Sequence, residues 1–299
     1  QTSKIMYNIV RSILEQGSDL MLFGFDAMIL GMSSMMRHRM NYGADLMKHL
    51  SSGSRICSAA DDAAGLCISQ GMKAQIRGMN QASRNVQDTV SMLQVADGNL
   101  EQTHSILQRL KELVVQAAND TNSTTDRANI QTEIDELVKE VSRISTSANF
   151  NTKNLLDGSL SSGGSGMTVQ IGANAGESQQ IFIENMGASA LGIDSINVVG
   201  ASGTAISSYS TTVDAAIAKV STQRAIIGAK QNVLEMRMDY LDTTAINLQE
   251  AESRISDTDM AQTMMEYTKN NILMQALQTM MAQAMNSHKE MVSALLQSL

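Results

Sequence analysis

No proline occurs anywhere in this chain, and glycine, the other residue that interrupts helices, is gathered into its middle. Proline removes a backbone donor and clashes with the preceding turn, so its absence leaves long helices unopposed. At an average usage near ~5%, a chain of this size would carry about fifteen prolines. Ten of the 20 glycines lie between Gly158 and Gly203, none occurs from Asn99 to Asp157, and Gly228 alone follows Gly203. The pattern predicts two helix-permissive arms flanking one glycine-rich centre. The length of 299 residues is enough for one or two domains.

Apolar periodicity locates the helices. Val86, Val90, Leu93, Leu107, Leu110, Val114 and Ala117 fall on one face of a helix over 85–118. A polar turn at 121–125 is suited to cap the next helix. In that helix Ile130, Ile134, Leu137, Val141 and Ile144 step by four and three, a coiled-coil seam. Asp135 and Lys139 form an i,i+4 pair beside it. After the centre the period returns at Val213, Ile217 and Val220, then at Leu234, Met238, Leu241, Ala245 and Leu248. A last helix from about Ser256 carries Leu273, Leu277, Met280 and Ala284 on one seam and Val292, Leu295 and Leu299 on another. Residues 1–50 read as one helix closed by the break Leu50-Ser51-Ser52-Gly53. In the centre, residues 150–166 read as a turn and a Ser/Gly linker. Met167, Val169 and Ile171, with Ile181 and Ile183 across Gly172 to Gly176, read as a hairpin with one buried face. Residues 197–212, rich in Ser, Thr and Gly, read as loop.

Several function classes are excluded by composition. Four Phe, five Tyr and no Trp offer no stacking platform for single-stranded nucleic acid, and a net charge of −8 leaves no electrostatic footprint for it. Cys57 and Cys67 are too few for a disulfide framework or a zinc site and are expected as free thiols rather than a bridge. His38, His49, His104 and His288 have no metal-ligand spacing, so neither metal nor cofactor is expected. On a helix, Asp61 and Asp62 would diverge by about 100° and could not share a substrate. A capping or inter-subunit role is expected for them, and no catalytic residue is assigned. Residues 20–30 are apolar but include Asp26, are too short to span a bilayer and precede no clear cleavage site. Neither membrane insertion nor a cleaved secretory leader is expected.

Eighteen of the 23 methionines lie in residues 1–47 and 236–299. Methionine fills irregular apolar gaps and tolerates alternative packings. Neither terminal arm has a hairpin partner nearby in sequence. Each would expose its stripe unless it packed on the other arm or on another molecule, and exposed stripes of that length mark a partner. The residues alone thus describe a mostly helical rod with adhesive ends.

Several motifs then give the chain a family likeness. Leu50-Ser51-Ser52-Gly53-Ser54-Arg55-Ile56 precedes Ala60-Asp61-Asp62-Ala63-Ala64-Gly65-Leu66. Gln108-Arg109-Leu110-Lys111-Glu112-Leu113-Val114-Val115-Gln116-Ala117-Ala118-Asn119 follows, then Phe150-Asn151-Thr152-Lys153-Asn154-Leu155-Leu156-Asp157-Gly158 and Gln170-Ile171-Gly172-Ala173-Asn174. Ala251-Glu252-Ser253-Arg254-Ile255-Ser256-Asp257 and Asn270-Asn271-Ile272-Leu273 complete the set. In this order, they resemble bacterial flagellin in a short form. The opening 45 residues lack the family's Asn-rich start, Met274, Leu277 and Met285 stand where the family usually has small or polar residues, and Cys57 and Cys67 are unusual for it.

The resemblance implies a mainly α fold, a coiled-coil helical rod with a small β-hairpin region and paired N- and C-terminal helices. Residues 1–50 and 258–299 would form the terminal coiled-coil core domain and 51–65 a spoke. Residues 66–257 would form the rod, with the hairpin near 167–184 and a short loop near 195–212 in place of large outer variable domains. It implies a structural subunit of the flagellar filament for swimming motility, located outside the cell, and not an enzyme. Assembly contacts are expected at Leu273, Leu277, Met280, Ala284, Leu295, Leu296, Arg55, Asp61 and Asp62. The implied partners are further copies of the chain, the filament cap and hook-junction proteins, and an export chaperone on the C-terminal helix. The innate Toll-like receptor for flagellin is a further one, at residues matching Arg109, Leu113 and Glu133, with Glu112 beside them. A hook–filament junction protein shares the terminal architecture and is the nearer alternative, and a helical adhesin or immune-interaction module is the other. The matches at 61–65 and 170–174 favour the filament subunit.

Overall fold

The computed structural model describes the backbone of residues 2–164, 166–200 and 202–297, and the side chains of residue 24 and of 27–164, 166–200, 202–290, 292 and 293. Uninterrupted helices dominate the described residues. They are α1 (Thr2–Ser52), α2 (Ala63–Ala117), α3 (Thr124–Ser147), the short α4 (Ala188–Leu191), α5 (Gly203–Ser256) and α6 (Met260–Gln297). Between α3 and α4, β1 (Asn149–Phe150) pairs with β2 (Lys153–Asn154) and β3 (Met167–Gln170) with β4 (Ser178–Ile181), both antiparallel. The fold is mainly α, as expected. The chain divides into two compact units, Gly71–Glu250 and the pair Gln1–Gln70 with Ala251–Leu299.

The unit Gly71–Glu250 has a saturated core. The seams converge in it: Val86, Leu93, Leu107, Leu110 and Val114 of α2, Ile134 and Val141 of α3, and Val213, Val220, Leu234 and Leu241 of α5 are all at most 1% exposed. Leu137 of the α3 seam and Met238 of the α5 seam are partly buried against the same cluster. Cross-helix ion pairs flank it. Arg224 Nε of α5 donates to Asp97 Oδ1 of α2 at 2.8 Å, and Lys111 Nζ of α2 to Asp214 Oδ1 of α5 at 2.6 Å. Solvent-accessible pairs of this kind contribute ~1 kcal/mol or less each, so burial holds the helices and the charges bias their register.

Local chemistry places the ends. Ser123 caps α3 in a reciprocal capping box: its Oγ accepts from Asp126 N at 3.2 Å, and its own N donates to Asp126 Oδ2 at 3.0 Å. The hairpin runs in the register Met167↔Ile181 to Gln170↔Ser178 and buries Val169, Ile181 and Ile183. Its loop folds back: Gln170 Nε2 donates to Gly172 O and Asn174 O, and Asn174 N donates to Glu177 Oε2. The loop also seats on α2, where a Cβ on Gly78 would lie 2.8 Å from Ala173 Cβ. Glycine is required at that contact.

Four readings of the sequence change. Residues 203–212 are the first turns of α5, not loop. Ser and Thr usually punctuate helices, but here Ser207, Ser208 and Thr211 donate to carbonyls three residues back while Ile206 and Val213 hold the buried face. The last helix starts at Met260 rather than near Ser256, because Asp259 Oδ1 accepts from the Ala261 and Gln262 N–H groups, each at 3.0 Å. Lys139 pairs with Glu136 at 2.7 Å rather than with Asp135, which accepts from Gln131. Residues 150–154, read as part of a turn, join Asn149 in the small β1–β2 pair, and α4 was not foreseen.

The β1–β2 turn places both central residues in the left-handed region, Asn151 at φ 47 and Thr152 at φ 66. Asparagine tolerates that region; a β-branched threonine does not. Thr152→Gly is expected to raise stability by up to ~1 kcal/mol, the relieved strain exceeding the added chain entropy. Denaturant unfolding of the two proteins measures it.

Candidate functional site

Within the unit Gln1–Gln70 with Ala251–Leu299, residues distant in sequence are fastened at one junction. α1 ends at Ser52, and Gly53 follows at φ +71 with its N–H donating to His49 O at 2.8 Å, a glycine helix stop. The chain then pairs with the end of α5. Arg55 N donates to Ser256 O at 2.7 Å, Thr258 N to Gly53 O at 3.0 Å, and Ser54 and Asp257 form an isolated antiparallel bridge. The Arg55 guanidinium donates through Nη2 to Ile255 O at 2.7 Å. Beneath, Ser69 Oγ donates to Glu252 Oε1 at 2.7 Å, with both residues buried. Arg55 thus ties the junction within the chain by one guanidinium bond.

Asp61 and Asp62 lie in the turn before α2 rather than on the helix. Asp61 Oδ2 accepts from Cys57 N at 2.9 Å, Ser58 N at 2.8 Å and Lys48 Nζ at 3.5 Å. The two backbone N–H groups, before the lysine charge, hold its carboxyl down to about 2. Asp62 Oδ1 accepts from Gly65 N at 2.9 Å, the geometry of a helix N-cap. A Cβ on Gly65 would meet Asp62 Oδ2 and, at 2.8 Å, Ile56 Cδ1. The two carboxylates face different partners, as capping groups do. Cys57 and Cys67 are free thiols, and Cys57 Sγ lies 3.0 Å from Ser52 Oγ.

α1 packs on α6. Thr263, Asn270, Leu277 and Ala284, at steps of seven, turn toward the partner helix, and Leu273 is half-buried beside them. Asn270, 1% exposed, donates through Nδ2 to Arg39 O at 3.0 Å, and its Oδ1 is buried without a partner. Gly43 makes room: a Cβ there would stand 2.9 Å from Asn270 Nδ2. Tyr42 donates to Glu266 Oε2 at 2.9 Å; that bond, then desolvation, then the carboxylate charge raise the phenol above its usual value. Met280, placed on the α6 seam by its spacing, is 55% exposed, because the seven-residue step from Asn270 runs through Leu277 to Ala284 and turns it outward. The side chains of Leu295 and Leu296 lie outside the described residues.

The pairing leaves much apolar surface open. Met35 is 61% exposed, Met265 67%, Ile272 61% and Met285 57%. Met264, Met265, Thr268, Ile272 and Leu273 line one groove, and Met35, Tyr42, Leu273, Leu277 and Met280 another. No helix among the described residues is long and apolar enough to cross a membrane.

On the other unit, Arg109 joins α2 to α3. Its Nε and Nη2 donate to Glu133 Oε1 at 3.0 and 2.9 Å, and its Nη1 donates to Glu112 Oε2 at 3.0 Å. All three are exposed. Leu113 is not part of that surface. Named with Arg109 and Glu133 by the resemblance, it is 1% exposed, because it lies on the α2 seam with Leu110 and Val114; the exposed apolar neighbour is Val115, at 56%.

Sequence reasoning missed Gly43, Tyr42, Glu266 and Ser69. Asn270 stood inside a quoted motif without being assigned a buried position. The heptad step from Thr263 to Leu277 was the available signal, but a polar residue at a seam position does not declare itself by hydropathy.

Comparison with known proteins agrees with this architecture. The model of the bacterial flagellin N-terminal helical region matches residues 26–161, and that of the C-terminal helical region matches 210–296. The chain is 45% identical over 245 residues to a flagellin of Halalkalibacterium halodurans, covering 82% of this chain and 89% of the relative. It is 46% identical over 266 residues to a flagellin of Bacillus subtilis, covering 80% and 88%. A flagellar hook-associated protein of Vibrio parahaemolyticus shares the fold at 14% identity and a TM-score of 0.55, over 66% of this chain and 100% of that one.

Two outcomes follow for this unit. The Asp61 carboxyl is held below its ordinary 3.8, so its contribution to the junction is full above that value and is lost as pH falls toward about 2. Asp61→Asn should therefore flatten the acid dependence of junction opening, read by limited proteolysis from pH 2 to 5. Gly43→Val should force Asn270 out of its slot and weaken the α1–α6 pair by ~1–3 kcal/mol, the usual cost of overpacking. Hydrogen exchange of residues 260–285 measures it.

Proposed function

The chain belongs to the bacterial flagellin family, and on that premise we propose how its terminal helices build a filament. It is a structural subunit of the flagellar filament, which lies outside the cell, and it polymerises with further copies of itself. In this reading residues 1–50 and 258–299 form the terminal core domain, 51–65 the spoke, and 66–257 the rod. The observation that carries it is the row of Met and Ile side chains left open along paired α1 and α6. At roughly 25 cal/mol per Å² of apolar surface removed from water, a neighbouring subunit gains by covering it. Leu273, Leu277 and Ala284 then steady the pair from inside, while Met280 faces the neighbouring copy.

Finer partners belong to the same proposal. Subunits leave unfolded through the flagellar channel, and an export chaperone masks the apolar stripe of α6 until then. The filament cap and hook-junction proteins meet the terminal helices at the ends of the polymer. Innate recognition by the Toll-like receptor for flagellin centres on the exposed Arg109, Glu112 and Glu133, with Leu113 supporting them from beneath. The spoke residues Arg55, Asp61 and Asp62 serve assembly indirectly, by holding the junction that aligns the terminal helices.

Electron microscopy after seeding should show long filaments from the intact chain and none from a chain lacking residues 258–299. Filaments from the shortened chain would remove α6 as the assembly element.

A further inference from the structure

The open face of the terminal helices is built largely of thioethers. Met35, Met40, Met264, Met265, Met280 and Met285 are each more than half exposed, whereas Met92 and Met186, in the core of the other unit, are 1% and 4% exposed. A methionine packs like other apolar side chains but carries a sulfur lone pair that takes up oxygen, and the sulfoxide is polar. In the grooves described above, Met264 and Met265 stand beside Ile272 and Leu273, and Met35 and Met280 beside Leu277. Lys269 lines the first groove and Ser34, His38 and Arg39 the second, but apolar atoms make up most of both, and a sulfoxide there would set a polar group against them.

We propose that these methionines are oxidative modification sites, and that peroxide-class oxidants acting on the unassembled subunit block its polymerisation reversibly. The inference rests on the filament reading above. The sulfur lone pair attacks one oxygen of hydrogen peroxide; the O–O bond breaks, an S–O bond forms, and the second oxygen leaves as water after proton transfer. Sulfur loses two electrons and the peroxide gains them. Covering the sulfoxide oxygen with a neighbouring copy strips its water, and the apolar side chains that make up most of the face return no donor, so docking is opposed. The docked face hides its own sulfurs, so sensitivity belongs to the free subunit and fades on assembly. Methionine sulfoxide reductases, one for each sulfoxide epimer, restore the thioether.

The test treats full-length monomer and preformed filaments with hydrogen peroxide, maps added oxygen by peptide mass spectrometry, and then measures seeded polymerisation of the monomer. In the monomer, Met264, Met265, Met280 and Met285 should oxidise well before Met92 and Met186; in filaments they should be protected. The critical concentration of oxidised monomer should rise roughly tenfold or more. Dithiothreitol reverses sulfenic acid or disulfide at Cys57 and Cys67, so it should leave the defect in place, and the two reductases together should remove it. The combined variant Met264→Leu, Met265→Leu, Met280→Leu and Met285→Leu removes the sulfurs, and peroxide should then change its polymerisation little relative to the same variant left untreated. Should the variant not assemble, reductase rescue of the oxidised parent decides alone. Untreated protein is the control. If it does not polymerise, the filament reading falls. If it polymerises and oxidised protein does so equally, or if dithiothreitol alone rescues it, the oxidation proposal falls and the filament reading stands.

Discussion

A short antiparallel clasp holds the end of α1 and the start of α6 in common register. Gly53, Ser54 and Arg55 meet Ser256, Asp257 and Thr258 through backbone pairing, and the Arg55 guanidinium adds a bond to the Ile255 carbonyl. The two sides are some 200 residues apart in sequence, so closing them costs chain entropy that local helix formation cannot return. The clasp also fixes where α1 must stop and where α6 must start. Gly53 marks the first by its left-handed backbone and Asp259 the second by capping, and the pairing of α1 with α6 inherits its alignment from them.

The two units divide the labour through their burial. The unit Gly71–Glu250 closes its apolar seams on one another, and Leu93, Leu107, Ile134 and Ile193 are among its fully buried side chains. The unit that holds the terminal helices buries few: Leu46, Ile56 and Ala284 are its buried apolar residues among those described, beside the polar Asn270, Thr263 and Ser69. Asn270 stabilises little by itself, since one of its amide atoms has no partner. A buried polar residue at a seam position penalises shifted registers more than the correct one, which is how such residues select an alignment. A helix pair specified in register but open on its outer face suits a subunit completed by its neighbours.

The same openness gives the methionines two consequences. A flexible thioether conforms to alternative packings of a repeated interface, and the sulfur that makes it adaptable is a site of oxidation. The charge cluster of Arg109, Glu112 and Glu133 shows the opposite economy. Its members are exposed and paired on a finished core, so they present a surface without being needed to hold α2 and α3 together.

Much of the architecture is legible in the residues. The missing prolines, the gathered glycines and the four-three seams at Ile130 to Ile144 and at Leu234 to Leu248 determine long helices with one buried stripe, because periodicity acts through neighbours three and four residues away. Ser123 and the hairpin alternation at Val169, Ile181 and Ile183 are local in the same sense. Tertiary structure decided what depends on residues distant in sequence. It turned the Ser/Thr run at 203–212 into helix by burying Ile206, and it rotated Met280 outward by setting the α6 seam through Asn270. It placed Leu113 in the core rather than on the surface, and it required Gly43 only because Asn270 arrives from 227 residues further along. Burial and close approach are properties of two segments at once, and no single segment carries them.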